Sequence, residues 1–356
     1  MAQAKAAEIP HARPGGAEPR ARRSPALAAA SARADRPQLA VVVDTEEEFD
    51  WAGPFSRASA GTTNIAAQPL AHRVFDRWGV VPTYVVGYPI ATDPESVAVL
   101  GGLRDDGRAE IGAHLHPWVT PPHEEEVSAY NSYHCNLPPK LERAKIAALT
   151  SAIENAFGTR PKVFKAGRYA LGPGTAEALK ALGYEVDCSV VPYFSFEQDG
   201  GPSFRRAPDR PYWLDRERSL LEVPFTAGFY GRLAGAGPAI QGLFDSAAAK
   251  RLHVPGVLAR SGLVTRVRLS PEGASAEEQC RLLDSLLEIG HRFFTLAYHS
   301  PSLAPGHTPY VRSAEDLDRF LATLDTVLAY FSKRLGGGFT TLTRYRSALL
   351  EGAESA

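Results

Sequence analysis

Two short segments carry the side chains best suited to chemistry: Val41-Val42-Val43-Asp44-Thr45-Glu46-Glu47-Glu48 and Glu110-Ile111-Gly112-Ala113-His114-Leu115-His116-Pro117-Trp118. Each opens as an apolar strand and ends in groups that can bind a metal. Asp44 and Glu46 are two residues apart, so extended backbone points both to one side while Thr45 points away. A general base beside a metal-binding carboxylate needs that arrangement. His114 and His116 obey the same parity and can chelate one cation through imidazole nitrogens. In an α/β barrel the carboxyl ends of the strands are where chemistry is done, so acids on one strand and imidazoles on a nearby one predict a metal site suited to hydrolysis. The plainer readings are a solvated acidic run at Glu46-Glu47-Glu48 and two core or loop histidines. An aspartate closing Val-Val-Val weighs against the first, and acids and imidazoles on separate strands weigh against the second.

Three more strand ends carry candidates. In Lys165-Ala166-Gly167-Arg168-Tyr169 the glycine allows close backbone approach, and Arg168 can hold the general-base carboxylate ionised through a bidentate contact. Asp187, in Val186-Asp187-Cys188-Ser189, and His299, in Ala297-Tyr298-His299-Ser300-Pro301, close two later strands. A carboxylate orienting a histidine is the usual way to prepare a general acid. The long loop 117–138 holds His123, His134 and Asn136 where a barrel keeps substrate contacts.

These residues need a scaffold of alternating strands and helices. Apolar, β-rich runs predict strands over Leu39–Asp44, Pro82–Val86, Ala109–Ala113, Lys162–Lys165, Tyr184–Ser189, Leu220–Pro224, Val264–Leu269 and Phe293–Tyr298. Helical patterns lie between most of them: Asn64–Trp78, Pro94–Asp105, Leu137–Phe157, Pro173–Leu182, Ala276–Ile289 and Ala314–Leu335. Repeated βα units imply a parallel sheet, for which a closed barrel is the economical guess and a doubly wound open sheet the alternative. Gly235-Ala236-Gly237-Pro238 lacks the spacing of a nucleotide-binding loop. The segment 192–224, rich in Pro, Gly and aromatic residues, predicts an irregular excursion or a small hairpin.

Composition bounds the rest. The chain of 356 residues, 44% hydrophobic and 22% charged, is long enough for one barrel or two smaller domains. A net charge of -1 gives no global basic surface, so nucleic acid is not an expected partner. No run approaches the roughly 18 apolar residues of a membrane helix, the N-terminal segment lacks a signal-peptide core, and a cytoplasmic location is the default expectation. Cys135, Cys188 and Cys280 are odd in number and widely spaced, which argues against a disulfide framework or a thiolate zinc site. Residues 1–36, rich in Ala, Pro and Arg and free of aromatics, are expected to form a disordered tail; a domain over 37–346 and a short C-terminal tail over 347–356 complete the expected organisation.

Taken together, Asp44-Thr45-Glu46-Glu47, His114-Leu115-His116-Pro117-Trp118, Asn136-Leu137-Pro138, Gly167-Arg168-Tyr169, Asp187-Cys188-Ser189, Arg268-Leu269-Ser270-Pro271-Glu272-Gly273 and His299-Ser300-Pro301-Ser302 resemble the motifs of the polysaccharide deacetylase superfamily. This is the NodB-homology or family-four carbohydrate esterase group, and the likeness is to its WalW-like branch over about residues 38–345. The resemblance implies a distorted (β/α)7 TIM-like barrel with a divalent metal. By motif it implies Asp44 as general base, Glu46 and His114 as metal ligands, Arg168 as the arginine tethering the base, Asp187 as its later-strand acid and His299 as general acid. The family's second metal histidine usually stands four residues after the first, where this chain has Trp118. His116 takes over that role, or His123 or His134 enters from the loop, or the metal site is degraded.

The expected reaction is removal of an acetyl group, N-acetyl above all, from a carbohydrate, with Trp51, Trp118 and Tyr169 as sugar-stacking candidates beside Asn136. Zn²⁺ suits a His, His, carboxylate set, and Co²⁺, Ni²⁺ or Mn²⁺ would fit nearly as well. Two other readings stand beside it. A metal-free glycoside hydrolase would use two carboxylates, and a catalytically inactive carbohydrate-binding or regulatory barrel would account for Trp118.

Overall fold

Val41, Val42 and Val43 sit at the centre of the longest strand, β1 (Gln38–Thr45), where their branched side chains fill both faces of a buried parallel sheet. The computed structural model describes residues 36–354. The expected disordered tail lies outside the described residues except for Arg36, whose guanidinium donates to the carbonyls of Gly336 and Gly337 at 2.8 Å each.

After β1 come β2 (Thr83–Val86), β3 (Glu110–Leu115), β4 (Val163–Ala166), β5 (Val186–Asp187), β6 (Tyr212–Trp213), β7 (Leu221–Glu222), β8 (Ala227–Tyr230), β9 (Thr265–Arg268), β10 (Phe293–His299) and β11 (Gly338–Phe339). The main sheet runs β10-β1-β2-β3-β4-β5-β7-β6, with β11 against the first two residues of β1. Its pairings are parallel except β6 with β7, which form the hairpin expected within 192–224. The sheet curls, but β7 and β10 do not pair. Irregular chain fills the gap: Thr226 N donates to Thr295 O at 3.3 Å, Thr295 N to Thr226 Oγ1 at 2.8 Å, and Ala297 N to Leu269 O at 3.2 Å. A distorted, half-closed α/β barrel results, as the βα alternation implied.

Strand alternation then divides the core in two. Leu39, Val41, Val43, Ala113, Leu115, Phe164, Leu296 and Tyr298 face the surrounding helices. Ala40, Val42, Val85, Val163, Val186, Cys188, Val223 and Ala297 face the interior of the curl. Around the sheet lie α1 (Gln68–Trp78), α2 (Pro94–Asp105), α3 (Pro139–Phe157), α4 (Pro173–Ala181), α5 (Ala276–Glu288), α6 (Ala314–Ala329) and α7 (Leu342–Glu354). Their starts are chemically marked. Proline occupies the first turn of α1 through α4, Asp93 caps α2 by accepting from Ser96 N, and the boxes Ser275/Glu278 and Ser313/Asp316 cap α5 and α6.

Three expectations need correction. The run Val264–Leu269 is not a strand of the parallel sheet: β9 pairs antiparallel with β8 in a separate ribbon, its partner having no strand-like flank to announce it. The helix expected over Ala314–Leu335 is α-helical to Ala329 and continues as one π-helical turn, Tyr330–Arg334. Residue 347 does not begin a tail, because α7 runs to Glu354. Its Leu342 and Leu349 are buried in the interior cluster, and Tyr345 stacks on Phe293 with centroids 3.7 Å apart, so this helix closes the end of the curl opposite the site.

Candidate metal and catalytic site

Parity places the two opening segments on one surface. Asp44 shares the inward face with Ala40 and Val42, and β3 presents Gly112 and His114 to the same interior, with His116 next in phase. Gly112 leaves the space this requires, since a Cβ there would stand 2.9 Å from Val163 O and 3.0 Å from Val85 Cγ1. Asp44, Glu46, His114 and His116 are all buried.

Glu46 Oε2 lies 3.4 Å from His114 Nε2 and 3.5 Å from His116 Nε2, and the ligand atoms of the three residues fall within 4.8 Å of one another. Metal–ligand bonds of about 2.0–2.1 Å in tetrahedral geometry put ligand atoms about 3.3 Å apart, so the two Glu46–histidine separations match edges of one coordination tetrahedron. The outer nitrogens are committed elsewhere: His114 Nδ1 meets Lys165 O at 3.1 Å and His116 Nδ1 meets Glu47 Oε1 at 2.9 Å. Both arrangements turn Nε2 inward, the usual outer support of a histidine ligand; burial disfavours the His116 imidazolium, but Glu47, with Glu46 and Asp44, outweighs it and raises His116 above the usual range, so a cation there would displace its proton. Burial holds His114 below the usual imidazole range, in the neutral form a ligand needs, despite the raising influence of Glu46 and Asp44. Glu46 Oε1 has no hydrogen-bond partner. The donor set therefore fits a divalent cation.

Trp118 does not occupy a ligand position. It is buried and stacks on His116, centroids 4.2 Å apart and planes 22° from parallel, which fixes the imidazole plane and removes the indole from any sugar-stacking role. His134 instead pairs with Glu142 at 2.9 Å. Neither it nor His123 belongs to the ligand cluster.

The cation that grips Asp44 is Lys165, not Arg168. Lys165 Nζ donates to Asp44 Oδ1 at 2.6 Å and to Oδ2 at 2.7 Å. Burial would raise the Asp44 carboxyl, but the charges facing it, the Lys165 ammonium first among them, outweigh it and hold Asp44 below the usual carboxylate range. Arg168 leaves the strand direction because Arg168 and Tyr169 take left-handed backbone, φ 53° and 59°. Its guanidinium then stacks over Tyr133, 4.1 Å from the centroid, and donates to Ser132 Oγ.

Asp187 also departs from its expected role. Val186 and Cys188 take the interior of β5, so Asp187 points to the opposite face, in register with Glu222 on β7 and accepting from Ser189 Oγ. The carboxylate that orients His299 is Glu272: His299 Nδ1 meets Glu272 Oε2 at 2.7 Å, and His299 N and Ser302 Oγ donate to Oε1. Burial disfavours the imidazolium, but Glu272 and the nearby Glu46 and Asp44 outweigh it and raise His299 well above the usual range. His299 Nε2 faces Asp44 Oδ2 at 3.7 Å, a pairing prepared by the β1–β10 register. A crevice with room for about one water is lined by Asp44, Lys165, Tyr169, Arg268, Glu272 and His299.

Of the aromatic candidates, Tyr169 lines that crevice and accepts from Arg268 at 3.1 Å. Trp51 is half-buried and meets His299 edge-on at 5.0 Å. Asn136 does not line the crevice; its amide donates to Tyr130 O and Gly200 O, both at 2.9 Å, tying two loops together. Glu47, Lys165 and Glu272 were assigned no role by sequence reasoning, although all three lie inside the motifs quoted above.

A prediction follows for the His299 pair. Glu272→Gln removes the charge that raises the imidazole, so the alkaline limit of any activity that needs the imidazolium is expected to move to lower pH. At the wild-type optimum the rate should fall about 10²–10⁴-fold. A kcat–pH profile checks this, and an unmoved alkaline limb would contradict it.

No family model matches the sequence, and no curated protein matches it. Among solved structures the chain is similar to a probable polysaccharide deacetylase from Pseudomonas aeruginosa PAO1, at 14% identity over 88% of this chain and 91% of that one, with a TM-score of 0.52. PuuE allantoinase is similar at 14% identity over 87% and 89%, TM-score 0.51. A candidate polysaccharide deacetylase from Mycobacterium smegmatis is similar at 16% identity over 88% and 90%, TM-score 0.50. The half-closed barrel thus has the fold that these three solved structures share.

Proposed function

We propose that this chain is a divalent-metal-dependent deacetylase that removes an acetyl group, N-acetyl in first place, from a carbohydrate. The observation that carries the reading is one interior surface holding a metal-shaped Glu46–His114–His116 trio beside an ionised Asp44–Lys165 pair and a Glu272-supported His299. The deacetylase fold supports it.

A divalent cation bound by Glu46, His114 and His116 would act as a Lewis acid, polarising the acetyl carbonyl and making water a stronger acid; Zn²⁺ suits the donor set best, with Co²⁺, Ni²⁺ and Mn²⁺ close behind. Asp44, kept ionised by Lys165, accepts a proton from water as that oxygen bonds to the acetyl carbon. Its oxygens retain lone pairs for this besides the two that meet Lys165. His299 carries its proton at Nε2, because Nδ1–H is committed to Glu272, and delivers it to the sugar nitrogen or oxygen as the carbon–heteroatom bond breaks. Acetate and the free amine or alcohol result. Trp51 and Tyr169 stand beside these groups as sugar contacts.

The metal-free glycosidase reading fares less well, because it needs two carboxyls free to flank the substrate, and Glu46, on the same face as Asp44, is held between His114 and His116 instead. For an inactive barrel the best argument was Trp118, which supports His116 rather than displacing a ligand. The test is acetate release from N-acetylated chito-oligosaccharides and O-acetylated xylan, with ring opening of allantoin followed separately as a non-carbohydrate control. Metal-loaded protein should release acetate, chelation should stop it and re-addition of Zn²⁺ should restore it. No release by loaded protein from either glycan would sink the reading.

A further inference from the structure

Between β8 and β9 the chain makes an excursion built from short helices, among them Gly242–Asp245, Ala247–Arg251 and Val254–Arg260, which pack on one another. Its inner side is well formed: Phe244 is buried with Phe229 and Val264, and Ile240 and Leu258 pack against them. Its outer side is unusual. Leu252 is 73% exposed, Val257 58%, Leu233 50% and Leu243 42%, four of the six large hydrophobic side chains most exposed among the described residues. The same segment contains Arg232, Lys250, Arg251 and Arg260 against one acid, Asp245. That acid is buried and paired inward with Arg266 at 2.7 Å and Arg205 at 3.3 Å, so it offsets none of the outward charge. Arg232, Arg251 and Arg260 are exposed.

We propose that this excursion docks the protein on an anionic membrane surface, with Leu243, Leu252 and Val257 entering the headgroup region and Arg232, Arg251 and Arg260 meeting lipid phosphates. Aliphatic side chains projecting from short helices among unopposed cations are what an anionic bilayer interface recognises. A nucleic acid would meet the cations but leaves the aliphatic groups without a partner, since its bases stack on aromatic rings. Four of the six most exposed large apolar side chains among the described residues fall in this one excursion rather than singly over the surface. The placement is suited to function: Asp245 and Arg266 seat the excursion on the loop around Tyr193 and Arg205, and that loop carries Phe196, stacked at 5.3 Å on Tyr169 of the crevice. Phe196 and Tyr169 thus link the docking excursion to the crevice, and the inference that the acetylated substrate is lipid-anchored rests on the deacetylase reading.

The test is co-sedimentation of the full chain with phosphatidylcholine vesicles, with and without a quarter of phosphatidylglycerol. Wild type should partition onto the anionic vesicles only. Leu252→Ser/Val257→Ser and Arg251→Ser/Arg260→Ser should each weaken partition on the order of tenfold at unchanged thermal midpoint, both pairs being exposed. Equal partition of wild type and both variants would assign binding to the basic N-terminal residues and overturn the proposal. So would equal binding to uncharged vesicles, stronger binding to duplex DNA than to vesicles, or an apolar variant that changes only the oligomeric mass. Acetate release from soluble substrate is read separately, so failure of docking and failure of the enzymatic reading are distinguishable.

Discussion

Replacing Lys165 with methionine is expected to destabilise the fold by about 3–5 kcal/mol near neutral pH and to lower any Asp44-dependent turnover by at least about 10². Both groups of the pair are buried, and Lys165 Nζ lies within 2.7 Å of both Asp44 oxygens. Removing one partner leaves an uncompensated interior charge, which costs far more than the intact pair contributes. In the folded chain Asp44 titrates below its usual 3.8 and Lys165 above its usual 10.5. The pair therefore stabilises fully between those two reference values. Its contribution fades as pH falls through the depressed Asp44 value, and at the other end as pH rises through the elevated Lys165 value. Urea midpoints at several pH values measure this. The double variant Asp44→Asn/Lys165→Met should recover most of the stability lost in Lys165→Met, because neither charge is then stranded. A Lys165→Met midpoint equal to wild type would remove the pair from the account.

The strands and helices were legible because their causes are local. Asp44 closing Val41-Val42-Val43, proline opening α2, α3 and α4, and the Ser–x–x–acid boxes of α5 and α6 announce themselves within a few residues. Spacing likewise gave the common face of Asp44 with Glu46 and of His114 with His116. Cross-strand partners were not legible, because they depend on curvature. From β1 to β4 along the sheet is roughly 14 Å, three strand spacings, yet Lys165 reaches Asp44 because the sheet curls and the side chain spans the chord. Nothing local in Lys165-Ala166-Gly167-Arg168 says which of its two cations faces inward; the left-handed turn at Arg168 decides it.

Parity could have corrected one assignment in advance. Val186 and Cys188 are the apolar residues of their strand, so Asp187 between them must face the other way, as it does against Glu222. Glu272 was harder to find. It lies on the loop after β9, a strand whose separate ribbon with β8 no short-range signal revealed. Under the proposed function, the tethering role that the resemblance implies for Arg168 falls to Lys165, three residues earlier. In the same way the ligand expected four residues after His114 would be supplied two residues after it, by His116.

That last substitution carries the sharpest expectation. His116→Ala should weaken Zn²⁺ binding about 10²–10³-fold, since about 10–16 kcal/mol spread over a four-ligand site is about 2.5–4 kcal/mol per ligand. Glu47→Gln should cost less, about 10–100-fold, because it alters only the group that orients His116 Nδ1. Trp118→Phe keeps an aromatic plane against the imidazole and should retain the metal. Gly167 reports on the same ring: a Cβ there would stand 2.2 Å from His116 Cδ2 and 2.5 Å from Leu115 O. Gly167→Ala must therefore displace the imidazole or the strand, and should weaken the metal although residue 167 offers no ligand atom. Competition against a chromogenic chelator, with elemental analysis of the purified variants, orders the four. If His116→Ala binds Zn²⁺ as wild type does, His116 is not a ligand and the trio loses its third member. If the order is His116→Ala weakest, Glu47→Gln and Gly167→Ala intermediate and Trp118→Phe near wild type, His116 is a ligand whose ring is held in place by Glu47 and by the space Gly167 leaves, and the indole nitrogen of Trp118 is no part of the metal site.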